Sequence, residues 1–181
     1  MTEFAVAPLG KLPRLFLIAA AGLLPLGIVI AAVAATPSRT PLLWLALALP
    51  LVLTLGLVLA MQRRAIAIDD GHLVVKATVY TLRLPIADID LGAARTLDLG
   101  EQRERRPWLK TNGFAVPGFR AGHFRSRDRR KLFCLVTAPR VLALPLRDGR
   151  TVLLSAERPQ ALLEALRRAA TAPPDRRHSP A

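Results

Sequence analysis

Two long apolar runs limit what this chain can fold into more than any other feature. Residues 15–35, LFLIAAAGLLPLGIVIAAVAA, and residues 42–61, LLWLALALPLVLTLGLVLAM, are separated only by TPSRTP, and between Leu15 and Met61 the one charged side chain is Arg39. About 20 helical residues cross the hydrocarbon core of a bilayer, so each run has the length of a transmembrane helix. The rival arrangement, two core helices of a soluble protein, fails on size: a chain of 181 residues has too little left over to surround both. Pro25 and Pro50 lie inside the spans and predict kinks, because a proline removes one backbone donor that neighbouring groups must replace. Neither proline points to transport.

Basic residues set the orientation. Lys11 and Arg14 precede the first run, Arg63 and Arg64 follow the second, and the connecting loop holds only Arg39, which predicts cytoplasmic termini and residues 36–41 outside. A signal peptide is the alternative for the first run, since Lys11 and Arg14 lead into an apolar stretch ending AAVAAT. The stretch is longer than the roughly 7 to 15 apolar residues of a cleaved signal, and a second span follows at once. The single Cys134 can form no internal disulfide, as suits a reducing compartment.

Beyond Arg64 the texture changes to short β-prone runs, and here the charge is concentrated: residues 62–181 hold 23 Lys plus Arg against 12 Asp plus Glu. AIAI-DDG-HLVVKATVYTLRLPI predicts paired strands around a turn at Asp70 and Gly71, since aspartate tolerates turn geometry and glycine takes positive φ freely. Further strands are expected at residues 79–84, 93–99, 118–125, 132–137, 140–146 and 150–154, with a second turn at Asp148 and Gly149. In NGFAVPGFRAGHFR, residues 112–125, Gly113, Gly118 and Gly122 are expected to serve tight turns, bulges or close backbone approach. PQALLEALRRAA then predicts a helix with Pro159 in its first turn and a stripe of Ala161, Leu162, Ala165, Leu166 and Ala169 facing the sheet. The tail from Thr171 to Ala181 is too polar and proline-rich to fold alone. The expected organisation is an N-terminal segment 1–14, a two-helix hairpin 15–61, a β-domain 62–170 and the tail.

Signals for chemistry are sparse. Asp69 and Asp70 have no histidine or further carboxylate at ligand spacing and read as turn residues. His72, His123 and His178 are far apart, and no Cys-x-x-Cys or His-Glu-x-x-His pattern gathers a metal. Cys134 in KLFCLV reads as a small buried hydrophobe, and Ser155, outside any G-x-S-x-G elbow, as a local cap before Pro159. The glycine stretch lacks the Lys-Ser or Lys-Thr of a Walker-type phosphate loop and the spacing of a dinucleotide fingerprint. No catalytic residue, metal or cofactor is expected.

The segment IAIDDGHLVVKATVYTLRLPIADI resembles the opening strands of bacterial pleckstrin-homology (PH)-like domains. NGFAVPGFRAGHFR followed by KLFCLVTAPRVLALPLRDGRTVLLSAERPQALLEAL is similar to the membrane-anchored members of that family. The resemblance implies an all-β PH-like barrel or sandwich capped by a C-terminal helix, carried on the two-helix membrane hairpin of a bacterial inner membrane. It implies a fold more than an activity. The arginine-rich stretches EQRERRPWLK and SRDRRK lie outside the resemblance. The expected function is a non-enzymatic, membrane-tethered binding or scaffold module that engages a protein partner or an anionic phospholipid surface. A basic nucleic-acid binder lacks a supporting motif, and a small membrane-associated enzyme lacks a catalytic constellation. The candidate surface is Arg125, Arg127, Arg129, Arg130 and Lys131, set against Asp128 in RSRDRRK at an expected hairpin tip. If that tip faces an anionic leaflet, each basic residue contributes about 1 kcal/mol within a Debye length of about 8 Å; if it faces away, screening removes the effect.

Overall fold

The computed structural model describes residues 2–35, 41–102 and 106–171. Residues 36–40, residues 103–105 of the arginine-rich stretch, and residues 172–181, with His178, lie outside the described residues. Helix α1 (Lys11–Leu17), a π-helical turn (Ile18–Leu23) and α2 (Leu24–Ala35) run on as one apolar helix. The second apolar helix is α3 (Pro41–Gln62). Just before Pro25, where a kink is expected, the helix widens into the π-turn, where the proline ring would otherwise strike the preceding turn. Past Pro50 the helix continues, with Thr54 Oγ1 donating to the Pro50 carbonyl at 2.6 Å. The two helices meet where Gly22 faces Thr54: a Cβ on Gly22 would lie 3.3 Å from Thr54 Oγ1, the close approach that small residues allow between helices. Both helices are long and apolar enough to cross a membrane, and little of either is buried.

The β-structure forms two sheets. One has the order β1-β2-β3-β4, from Thr2–Phe4, Arg64–Asp69, His72–Ala77 and Tyr80–Pro85. The other has the order β5-β9-β10-β8-β7-β6, from Arg95–Asp98 (β5), Leu109–Val116 (β6), Phe119–Arg125 (β7), Lys131–Val136 (β8), Arg140–Pro145 (β9) and Thr151–Leu154 (β10). Strand pairs are antiparallel except β8 with β10. Alternation along the strands gives the larger sheet two apolar faces. Phe133, Leu135, Leu142, Leu144, Val152 and Leu154 join the main core with Ile66, Leu73 and Val75 of the smaller sheet. Helix α4 (Pro159–Thr171) inserts Leu162 and Leu166 into the same core. Leu132, Cys134, Val136, Val141, Ala143 and Leu153 form a second cluster on the opposite face, together with Leu97 of β5 and Leu99 just after it. The architecture is a helical pair followed by a PH-like two-sheet domain with a C-terminal helix.

Two strands had no signal in the sequence. Strand β6 runs straight through the stretch expected to hold turns, so Gly113 sits in mid-strand directly opposite Gly122 of β7. Gly118, at φ +77°, is in the turn between these strands, whereas Gly122 takes φ +103° within β7. The physical role of Gly113 and Gly122 is close approach: a Cβ on Gly113 would come within 2.7 Å of the Ala121 carbonyl oxygen. At the β2–β3 hairpin Asp70 and Gly71 have φ of 45° and 67°, and at the β9–β10 hairpin Gly149 has φ +82°. Asp148 Oδ1 accepts from the Arg150 backbone N–H at 2.9 Å, which together with the Arg150 side chain holds its carboxyl below the usual carboxylate range.

The other unexpected strand is β1. It pairs with β2 from Thr2 opposite Ile68 to Phe4 opposite Ile66, so residues that precede the apolar hairpin belong to the β-domain. The chain then bridges to the end of the larger sheet. Val6 pairs with Ala156, Ala7 N–H donates to the Ser155 carbonyl at 2.8 Å, Glu157 N–H donates to the Ala5 carbonyl at 2.9 Å, and Thr137 Oγ1 donates to the Ala7 carbonyl at 2.8 Å. Cleavage near Ala35 would remove this strand and also Leu17, which is buried in the main core beside Met61.

Candidate partner-binding site

The two ends of the β-domain differ in chemistry. One end adjoins the apolar helices: Leu17 and Met61 are in its core, and a Cβ on Gly118, in the β6–β7 turn, would lie 3.3 Å from Pro13 Cγ in α1. Strand β7 leads away from that turn. Arg125 ends β7 six residues after Phe119, and at about 3.4 Å per residue the β7–β8 tip stands about 20 Å from the Pro13 contact.

The tip carries all five basic residues singled out in the sequence, Arg125, Arg127, Arg129, Arg130 and Lys131, and all are exposed. A turn gathers them: Ser126 N–H donates to the Arg130 carbonyl and Arg129 N–H to the Ser126 carbonyl, with Arg129 at φ +61°. Arg130 pairs with Asp128 at 3.5 Å, an open pair that offsets little of the positive field. The Arg127 guanidinium stacks 4.7 Å from the ring centre of Trp108, which is itself 67% exposed. An arginine held over an exposed indole presents a flat, amphipathic surface of the kind that dominates protein interfaces.

Beside the tip lies a recess of about 220 Å³ between the sheets. Its floor is Leu82 of β4, Phe133 of β8 and Leu146, and Arg125, Lys131 and Arg150 stand around it. His123 lines it as well, with its ring 5.1 Å from Phe133 and 6.0 Å from Tyr80. Tyr80 closes the space between the sheets by donating its hydroxyl to Asn112 Oδ1 at 2.7 Å. An apolar floor with a cationic rim suits an apolar side chain flanked by carboxylates. Arg150 and Trp108 were not among the residues expected from sequence. Trp108 follows Arg105 and Arg106 after a single proline, and an aromatic in so charged a stretch is the one available hint.

The remaining reactive side chains are separated. His72 Nδ1 lies 2.7 Å from the Asp70 carbonyl at the far hairpin, and among the described residues no cluster of histidine, cysteine or carboxylate could hold a metal. Burial pushes the Cys134 thiol far up, so it stays protonated inside the second apolar cluster. Ser155 does not cap α4. It is fully buried, and its Oγ accepts from the backbone N–H groups of Thr137 at 3.1 Å and Ala138 at 3.2 Å, latching the β8–β9 turn to the end of β10. Ser155→Ala is expected to leave both donors unsatisfied and cost about 2 kcal/mol in denaturant melts.

The family model for the bacterial PH domain matches residues 64–170. No curated protein and no solved structure matches the chain. The matched span runs from the first residue of β2 into the last turn of α4, covering both sheets except β1 and more than half of the chain. The chain belongs to the bacterial PH domain family.

Proposed function

We propose that this chain is a non-enzymatic binding module tethered in the bacterial inner membrane by its two apolar helices, with both termini and the β-domain in the cytoplasm. On this reading the basic end of the domain binds an acidic segment of a protein partner. The observation that carries it is the placement of Arg125, Lys131 and Arg150 around an apolar recess, with the exposed Trp108–Arg127 pair at the adjoining β7–β8 tip. The β7–β8 tip stands about 20 Å along β7 from the Pro13 contact, beyond the Debye length of about 8 Å, which favours a protein over the bilayer as the ligand of the tip. The pairing of β1 with β2 supports a hairpin whose two ends lie on one side of the membrane, and the basic residues flanking the helices support the cytoplasmic side.

The test uses the full chain in native membranes with a photo-crosslinker at Thr111, beside the recess. Adducts should be to acidic proteins, should weaken as salt rises, and should fall about tenfold or more when Arg125, Lys131 and Arg150 become serine. Adducts indifferent to both changes would remove the basic end as the binding surface. A reporter active only in the periplasm, fused after residue 170, should stay silent; strong activity would reverse the orientation.

A further inference from the structure

Arg64 opens β2, two residues after α3 ends at Gln62, and therefore stands where the chain leaves the apolar span. Alternation along β2 puts it on the face that carries buried Ile66, so its side chain lies half inside the domain. Its Nε and Nη1 are shut off from solvent and have no hydrogen-bond partner. The other charge that acts on it is also positive: Arg14, an exposed residue of α1 at the matching level of the first helix, adds to the effect of burial in lowering its pKa. The guanidinium nonetheless remains a cation at any physiological pH. A half-buried cation with unused donors beside a second cation is an arrangement that an anion completes, because charge-assisted hydrogen bonds would satisfy the donors and relieve the repulsion.

Position selects the anion. Leu15 begins the apolar run one residue after Arg14, so both guanidinium groups sit at the depth of the lipid headgroups when the helices span a bilayer. The β3–β4 turn lies at the same level: Thr78 N–H donates to the Arg63 carbonyl at 2.9 Å, and the neighbouring Val79 is 69% exposed, an apolar side chain presented beside the helix ends. We infer that Arg14 and Arg64 form a binding site for the phosphodiester of an anionic glycerophospholipid at the junction between the membrane hairpin and the β-domain. The site shares no residue with the basic recess and does not depend on what binds there. Arginine suits it better than lysine would, since its planar fork meets two phosphate oxygens at once.

The experiment takes the full chain in a neutral detergent and adds phosphatidylglycerol, phosphatidylcholine or inorganic phosphate, reading thermal unfolding and lipid retention by native mass spectrometry. Phosphatidylglycerol should be retained and should raise the Tm, while the other two at equal concentration should not. Arg14→Gln and Arg64→Gln should each weaken phosphatidylglycerol binding about tenfold or more, and Arg129→Gln, at the distal tip, should leave it unchanged. Should Arg64→Gln fail to fold, Arg14→Gln decides the matter alone, because Arg14 is exposed. Equal retention of the two lipids, or wild-type binding by Arg14→Gln, would overturn the site. A Tm shift from inorganic phosphate equal to that from phosphatidylglycerol would overturn the lipid as ligand.

Discussion

Gly122→Val is expected to unfold the β-domain, with a loss of about 4 kcal/mol or more. A Cβ at this position would lie 2.8 Å from Gly113 Cα, 2.9 Å from the Asn112 carbonyl oxygen and 2.9 Å from Tyr80 Cε2, so it meets backbone on one side and an aromatic ring on the other. The backbone at φ +103° is itself closed to a β-branched residue. Strand β6 would have to leave the sheet edge, and the contact between Tyr80 and Asn112 across the sheets would go with it. Arg129→Ala is the matched control. Arg129 is exposed and makes no close side-chain contact comparable to these, so a change within about 0.5 kcal/mol is expected there. Circular dichroism melts of the full chain in detergent measure both, and equal losses would remove the close-approach role of the glycine pair.

Deletion of residues 2–9 should have the next largest effect, lowering the Tm by about 10 °C or more. It removes a strand from β2, uncovers the core against which Phe4, Val6 and Leu9 pack, and takes away the carbonyl that accepts from Thr137. The same logic governs any soluble form of the domain. Residues 62–172 by themselves leave β2 as an open edge, whereas joining residues 2–10 to residue 63 through a flexible linker restores its partner. The joined form should be the more stable and the less prone to aggregate. Equal melting of the two forms would show β1 to be dispensable.

The β-domain was readable in the sequence where local chemistry decided structure. Asp70 with Gly71 and Asp148 with Gly149 announce hairpins because few other residues accept those dihedrals. The α4 stripe likewise shows in its spacing, and Leu162 and Leu166 are fully buried. What escaped was non-local. Strand β6 is hidden because Gly113 weakens every local strand signal, and its reason for being glycine lies nine residues away in Gly122. Strand β1 is three residues long and its partner lies beyond two membrane-length helices, so nothing in TEF betrays it. The basic tip was legible as charge, but its distance from the bilayer depends on which β-turn touches Pro13. Ser155 was visible as a polar residue before a helix; only the packed fold shows that its hydroxyl serves a turn 17 and 18 residues upstream.

The strand formed by Thr2–Phe4 also bears on how the protein is made. It leaves the ribosome before its partner β2, which follows only after both apolar helices have been synthesised, and the neighbouring bridge of Val6 to Ala156 waits for almost the whole domain. Closure of the β-domain is thus a late event that requires Thr2–Phe4 to be on the side where the domain emerges. A chain that sent its first residues across the membrane would carry a permanently open β2 edge, a template for aggregation that quality-control proteases can recognise. Insertion errors in this protein would accordingly appear as folding errors.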